Sequence, residues 1–399
     1  MDIPTDPINE VTHVIHSGSL RVVALLLAFV MAAACGRPLL ASQKQSGNFL
    51  DVGGGKIYYE ECGSGPAVVL LHDGLLSSST WDGEWSALCS KFHVIRYDRR
   101  GYGRSDAPTK PFLQADDLRA LLSHLNIQRA TVVGCSSGGG HAIDFTLVHP
   151  EMVERLILIG SVLHGMTVTS QFTDRGNRNN ARVAKGDLKA AALNWSRDPY
   201  TISAGHDAAR KHFYDALMQY PQSLKYTGEF EIRFLRPAVI RLSEIHVPTL
   251  ILDGEFDMPD VQAFGGAIQA GIPGARREIV KDSAHLIPVE QPEYLSNRIT
   301  SFIDDHPVVS VPANVLQTYA GQYDLFGKTT IAFRDGLLYL QVPGEKEIPL
   351  FPESESKMKC FMWTQDAEIE FVKDAAGNVT EAVIHAEDGT VTKCPRSRS

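Results

Sequence analysis

The chain has 399 residues, a formal net charge of −9, 44% hydrophobic residues and 21% charged residues. Such a composition belongs to a folded soluble protein with room for more than one domain, and it excludes a disordered or fibrous chain. An acidic chain without blocks of Lys and Arg is also a poor nucleic-acid binder, because phosphate recognition needs clustered cations.

Leu20 to Ala34, LRVVALLLAFVMAAA, is apolar apart from Arg21. The run is short for a spanning helix, which needs about 20 apolar residues. It has the length of a secretory signal core ending in small residues. Small residues immediately before Cys35 resemble the bacterial lipobox, with Ala32 standing where Leu is usual. Residues 1–46 are therefore expected to be a leader and linker. The mature protein is expected in the cell envelope, lipid-anchored at Cys35, or else periplasmic or secreted. Export permits disulfides. Cys62 with Cys89, and Cys360 with Cys394, can pair, although spacing does not fix connectivity. No CxxC or His-rich spacing accompanies these cysteines, so no metal site is expected.

From Gly47 to about Ile303 short apolar runs alternate with helical patterns. The runs are 67–71, 94–97, 130–133, 156–159, 249–252 and 277–280. Continuous apolar strands separated by helices predict a parallel sheet covered on both faces. Leu113 to Leu125 has helical spacing and joins two of the strands. Residues 161–244 break the rhythm, being richer in Arg, Asn, Tyr and Gln. This segment reads as several short helices forming a cap above the strand ends, where ligands of such sheets bind.

Beyond Pro307 the pattern becomes antiparallel. Runs at 329–333, 337–340, 368–371 and 379–385 are separated by turns at Asp335-Gly336, Ala375 to Asn378 and Asp388-Gly389. Asp-Gly pairs are strong hairpin signals. Residues 307–399 thus read as a small antiparallel β domain. The order YAGQYDL, FRDGLLYLQ, LFPESESKM, EIEFVKDAAGNVT resembles an accessory β domain often appended to penicillin-binding-protein-like and esterase-like hydrolases.

Gly134-Cys135-Ser136-Ser137-Gly138 fits G-x-S-x-G between the strand 130–133 and the helical run 141–148. This is the context of a nucleophile elbow, in which the central serine stands on a tight strand-to-helix turn. Ser136 holds the tip, and the Ser137 N–H can serve an oxyanion hole. Cys135 occupies the variable position. A phosphate-cradling loop would want a Lys or the G-x-G-x-x-G spacing, and neither is present.

With these features in place, residues 47–305 resemble the α/β-hydrolase superfamily, in its capped, esterase-like branch. The matches run in family order: GSGPAVVLLHDG, then YDRRGYGRS, then VVGCSSGGG, then Pro248 to Asp257, then Asp282-Ser283-Ala284-His285. The resemblance implies an α/β-hydrolase fold with a mostly parallel central sheet and helical cap, followed by the small β domain. It implies a Ser136, Asp257 and His285 triad, Asp257 being preferred over Asp253, Glu255 and Asp260. It places the oxyanion donors at Gly74, with Leu75 the second choice, and at Ser137. His72 is expected to shape the loop it opens, and Asp73 stands where the family has glycine, so its carboxylate must turn away. Asp98 is expected to be structural, near Arg99 or Arg104.

The activity implied is hydrolysis of a carboxylic ester through an acyl-enzyme, on a small-molecule substrate and without metal or organic cofactor. The same triad acting on a lactone, amide, thioester or carbon–carbon bond, and a non-catalytic exported binding protein, are the alternatives.

Overall fold

The computed structural model describes residues 47–307, 309–325, 327–362 and 365–397. The leader, with its lipidation candidate Cys35, lies outside the described residues. Among the described residues no helix is long and apolar enough to cross a membrane.

The chain enters with β1 (Asn48–Asp51), β2 (Lys56–Cys62) and β3 (Ala67–Leu71), then α1 (Trp85–Cys89) and β4 (His93–Tyr97). Next come α2 (Gln114–His124), β5 (Ala130–Cys135), α3 (Ser137–Val148) and β6 (Val153–Ile159). Helices α4 (Ser170–Ala184), α5 (Leu188–Arg197) and α6 (Asp207–Gln219) precede β7 (Thr249–Gly254). The first unit closes with α7 (Pro259–Gly271), β8 (Arg276–Val280), α8 (Ile287–Glu290) and α9 (Pro292–Asp305). These strands form one eight-stranded sheet in the order β1-β2-β4-β3-β5-β6-β7-β8. β1 and β2 are antiparallel to their neighbours, and β4 to β8 run parallel. The β1–β2 hairpin lies ahead of the first strand expected from the sequence.

Buried residues alternate along the central strands because both faces are covered. Val69, Leu71, Val132, Leu156 and Leu158 pack on one side with Leu118 and Leu121 of α2 and Ile143 of α3. Val68, Leu70, Val133, Ile157 and Ile159 face the other side, against Trp81, Phe213 of α6 and Phe302 of α9. Local chemistry starts the helices. The Thr169 hydroxyl accepts from Phe172 N–H to open α4, and the Asp187 carboxylate accepts from Ala190 N–H to open α5. Proline opens α7 and α9, where a missing N–H costs nothing. Cys62 and Cys89 form a disulfide tying β2 to the end of α1.

After α10 (Ala313–Tyr319) the chain makes an antiparallel meander: β9 (Gly321–Asp324), β10 (Lys328–Arg334), β11 (Leu337–Gln341), β12 (Ile348–Pro352), β13 (Lys357–Met362), β14 (Gln365–Lys373), β15 (Val379–Ala386) and β16 (Val391–Pro395). It closes on itself. Arg396 bridges antiparallel to Tyr323, and Ser397 N–H donates to Gln322 O. The result is a small barrel filled by its own side chains, among them Ile331, Leu340, Met358, Ile369 and Ile384. Tyr319 of α10 stacks on Phe371 at 4.3 Å between ring centroids. Cys360 and Cys394, which the sequence allowed as a second pair, are both free thiols buried in this barrel. They sit on β13 and β16, two strands that are not neighbours in the meander.

Candidate active site

The site lies at the carboxyl ends of β5, β7 and β8. At the end of β5 the chain turns so sharply that Ser136 takes φ 54°, ψ −120°. A non-glycine residue in that region costs of order 1–3 kcal/mol and persists only when its surroundings impose it. Here Ser136 N–H donates to Ile159 O (2.8 Å), and Ser136 O accepts from Gly140 and Val162 N–H. Gly138 makes the turn possible. A Cβ there would lie 2.4 Å from His72 O and 2.5 Å from Leu71 O, both backbone atoms that cannot yield.

The imidazole of His285, on the loop after β8, lies between two of the residues expected from the sequence. Its Nδ1–H donates to Asp257 Oδ2 (2.9 Å), and its Nε2 faces Ser136 Oγ at 2.8 Å. Asp257 is buried, and its other oxygen accepts from Met258 N–H (2.6 Å). Burial pushes the His285 pKa down, but the Asp257 charge and hydrogen bond more than offset it, so the net shift is upward. The rival acids are engaged elsewhere. Asp253 pairs with Arg277, Glu255 with Lys281, and Asp260 accepts from the Thr169 N–H and hydroxyl.

Gly74 and Ser137 face each other across the elbow. A Cβ on Gly74 would stand 3.1 Å from Ser137 Oγ and 4.0 Å from the Tyr102 hydroxyl. Among the described residues no acceptor takes the Gly74 or Ser137 N–H, and Ser137 opens α3, where first-turn donors have no partner within the helix. Leu75, the second choice, is ruled out as a free donor: its N–H is held by Asp73 Oδ1 at 2.6 Å. The Asp73 carboxylate turns into its own loop, also accepting from Leu76 N–H and the Thr80 hydroxyl. His72 braces the same loop, with Nδ1–H donating to Asp73 O (2.6 Å) and Nε2 accepting from Arg99 N–H (3.0 Å). Burial and the Arg99 charge hold His72 well below the usual imidazole range, so it is neutral.

Cys135 is fully buried, and burial raises its thiol pKa far above normal, which leaves it unreactive.

Asp98 lies against Arg104, one of the two arginines expected near it, and the contact is through the main chain. Its carboxylate accepts from the backbone N–H groups of Ser78 (2.7 Å) and Arg104 (2.8 Å), not from a guanidinium. Arg99 instead points at the elbow. Its Nη2 donates to Asp73 O and to Ser137 Oγ, both at 2.8 Å, and the guanidinium lies over the Tyr102 ring. This buried cation beside the Gly74–Ser137 cleft had no signal in spacing, because its partners are a carbonyl and a hydroxyl far off in sequence. A second polar group lies farther along α3. His164 Nδ1–H donates to Asp144 (2.7 Å), Arg233 of the segment between β6 and β7 donates to His164 Nε2 (2.9 Å), and the His141 ring is 5.2 Å from that of His164.

Comparisons with known proteins agree with this architecture. An uncharacterised protein of Mycobacterium bovis is 40% identical over 116 residues, covering 28% of this chain and 34% of its own. The chain thus spans about a third of the length of that relative and its Mycobacterium tuberculosis counterparts. Carboxylesterase YbfK of Bacillus subtilis is 29% identical over 245 residues, 60% of this chain and 80% of that protein. The structure of a thermophilic esterase from Thermogutta terrifontis superposes with a TM-score of 0.55 at 25% identity, covering 63% of this chain and 94% of the esterase. The family profile described as alpha/beta hydrolase fold matches residues 66–292, more than half of the chain. A parallel sheet with a serine elbow at one strand end and this match together place the chain in the α/β-hydrolase fold family.

Proposed function

We propose that the protein is a serine hydrolase that cleaves carboxylic esters. The observation that carries this reading is the continuous chain Ser136 Oγ to His285 Nε2 (2.8 Å) and His285 Nδ1 to Asp257 Oδ2 (2.9 Å). A serine hydroxyl is too weakly acidic to attack unaided, and an oriented imidazole supplies the missing base. Ser136 Oγ adds to the ester carbonyl as its proton passes to His285 Nε2. The oxyanion that forms is held by the Gly74 and Ser137 N–H groups. The tetrahedral adduct collapses, the C–O bond breaks, and the imidazolium returns its proton to the departing alkoxide. Water, deprotonated by His285, then cleaves the acyl-enzyme and regenerates Ser136. Asp257 fixes the tautomer and stabilises the imidazolium in both halves. The likeness to carboxylesterase YbfK and to the thermophilic esterase supports ester as the substrate class.

Export is part of the same proposal. The signal-like run before Cys35 and the Cys62–Cys89 disulfide both suit an oxidising compartment.

The test is turnover of a panel of p-nitrophenyl esters by the wild type and Ser136→Ala. The variant is expected to lose on the order of 10³-fold or more in kcat and to lose labelling by a fluorophosphonate. Full activity in Ser136→Ala would overturn the mechanism.

A further inference from the structure

His285 is held from two sides, and one of them is the cap. Its own N–H donates to Tyr200 O (3.1 Å), and Leu286 N–H donates to Thr201 O (3.2 Å). The loop that carries the imidazole is therefore paired with residues 200–203, between α5 and α6, not only with the sheet. Glu290, at the end of α8, completes the join. One carboxylate oxygen accepts from the Ser203 N–H and hydroxyl, both at 2.6 Å. The other accepts from Ala284 N–H at 2.8 Å, one residue before His285. Glu290, Thr201, Ile202 and Ser203 are all buried, so these bonds are shielded from competing water and are costly to break.

The rest of the cap converges on the same four residues. Arg210 of α6 donates to Ile202 O and Ser203 O (3.1 Å each) and to Ser196 O (2.6 Å). Arg175 of α4 donates to the Thr201 hydroxyl (2.5 Å) and pairs with Asp198 (2.6 Å), whose other oxygen accepts from Tyr200 N–H. A shift of α4 or α6 thus reaches residues 200–203 through charge-assisted bonds. From there it passes to the main chain of His285 itself.

We propose that residues 200–203, latched by Glu290, are a positioning element for His285, so that the seating of the cap sets how well the imidazole reaches Ser136. The proposal rests on the roles given above to Ser136, His285 and Asp257. A misplacement of about 1 Å at such a group can cost on the order of 10²-fold in rate, so a cap unseated by a bulky ligand idles the site without altering any reacting residue. Substrates are then sorted by whether they fit beneath a seated cap.

Glu290→Gln and Arg210→Met in the full-length protein test this. A glutamine cannot accept at both ends, so its NH₂ must oppose either the Ser203 or the Ala284 N–H. The groups that Arg210 contacts, Ser196, Ile202, Ser203 and Asp207, all belong to the cap. Arg210→Met therefore decides the matter should Glu290→Gln fail to fold. The expected result is a 10- to 100-fold loss of kcat in Glu290→Gln and a several-fold loss in Arg210→Met, with KM within twofold. The low-field proton resonance of His285 Nδ1–H, assigned by its absence in Asp257→Asn, should broaden in both. A folded variant with wild-type kcat and a sharp resonance would overturn the proposal and reduce the segment to scaffolding. Should the wild type turn over no ester, the function reading fails by itself, and the resonance in the two variants still decides whether the cap positions His285.

Discussion

At Gly74 a single methyl group is enough to crowd the proposed oxyanion cleft. Its φ is not among the positive values, so alanine suits the backbone, but the new Cβ would press on Ser137 Oγ at 3.1 Å. Gly74→Ala keeps its N–H but crowds the cleft, so it is expected to lower kcat about tenfold, less than the roughly 10²–10³-fold that removal of one oxyanion donor costs, with little change in thermal midpoint. The pH profile is a second expectation at this scale. General-base chemistry needs neutral His285, and its pKa is raised above 6.5. The acid limb of kcat/KM should therefore lie above that value, and Asp257→Asn should lower both the limb and the rate. Stability runs the opposite way. The raised pKa favours the protonated folded state, so this pair contributes most below about pH 6.5 and loses its contribution as pH rises through the raised value.

The convergence of Ser136, Asp257 and His285 was legible because a hydrogen-bonded serine, histidine and carboxylate restricts residue type and this sheet restricts order. The choice between Gly74 and Leu75 was not. It turned on where Asp73 sends its carboxylate, and a side-chain rotamer leaves no trace in spacing. Arg99 was hidden for the same reason, since nothing local marks a guanidinium whose acceptors are Asp73 O and Ser137 Oγ.

Among the elements, the central parallel strands β3, β5, β6 and β7 were readable as apolar runs because both faces are buried. The β1–β2 hairpin was not, since Asn48–Asp51 is largely exposed and its pattern is short. The Cys62–Cys89 crosslink fastens the antiparallel side of the sheet to α1 with a sequence separation of 27. A loop of that size corresponds to about 3–4 kcal/mol in the chain-entropy treatment. Replacing both cysteines by serine should lower the midpoint of chemical unfolding accordingly, while kcat at low temperature stays near wild type, because neither residue touches the site. The Cys360 and Cys394 thiols are a contrasting case. Closeness in sequence suggested a partner, but the meander sets β14 and β15 between their strands.

Over the whole molecule, the sheet separates its two ends. Ser136, Asp257 and His285 lie beyond the carboxyl ends of the strands. The barrel meets the other end: Arg276, which opens β8, pairs with Asp366 at 2.8 Å, and His246, just before β7, packs edge-on to Tyr339. Between the two bodies lies a cavity of about 550 Å³, whose lining includes Pro248, Leu316, Leu337 and Phe351. Leu337→Arg should cost about 1–3 kcal/mol of stability, as a bulky charge replacing a half-buried leucine does, yet leave kcat within twofold. A thermal melt with parallel ester kinetics checks both halves. The domain content was legible here, but barrel closure was not, because the Tyr323–Arg396 bridge joins the first and last strands of the meander.

Closure at that seam also decides how the molecule can be handled. A meander of eight strands left open would offer two unpaired edges, each a template for another chain. Arg396 and Ser397, just past β16, bond instead to Tyr323 and Gln322 of β9 and cover part of both edges. The barrel stands at the pole away from Ser136, across strands that span roughly 15–25 Å. A support or fusion partner attached through the barrel would therefore hold every copy in one orientation, with the Ser136 end of the sheet pointing away from the support.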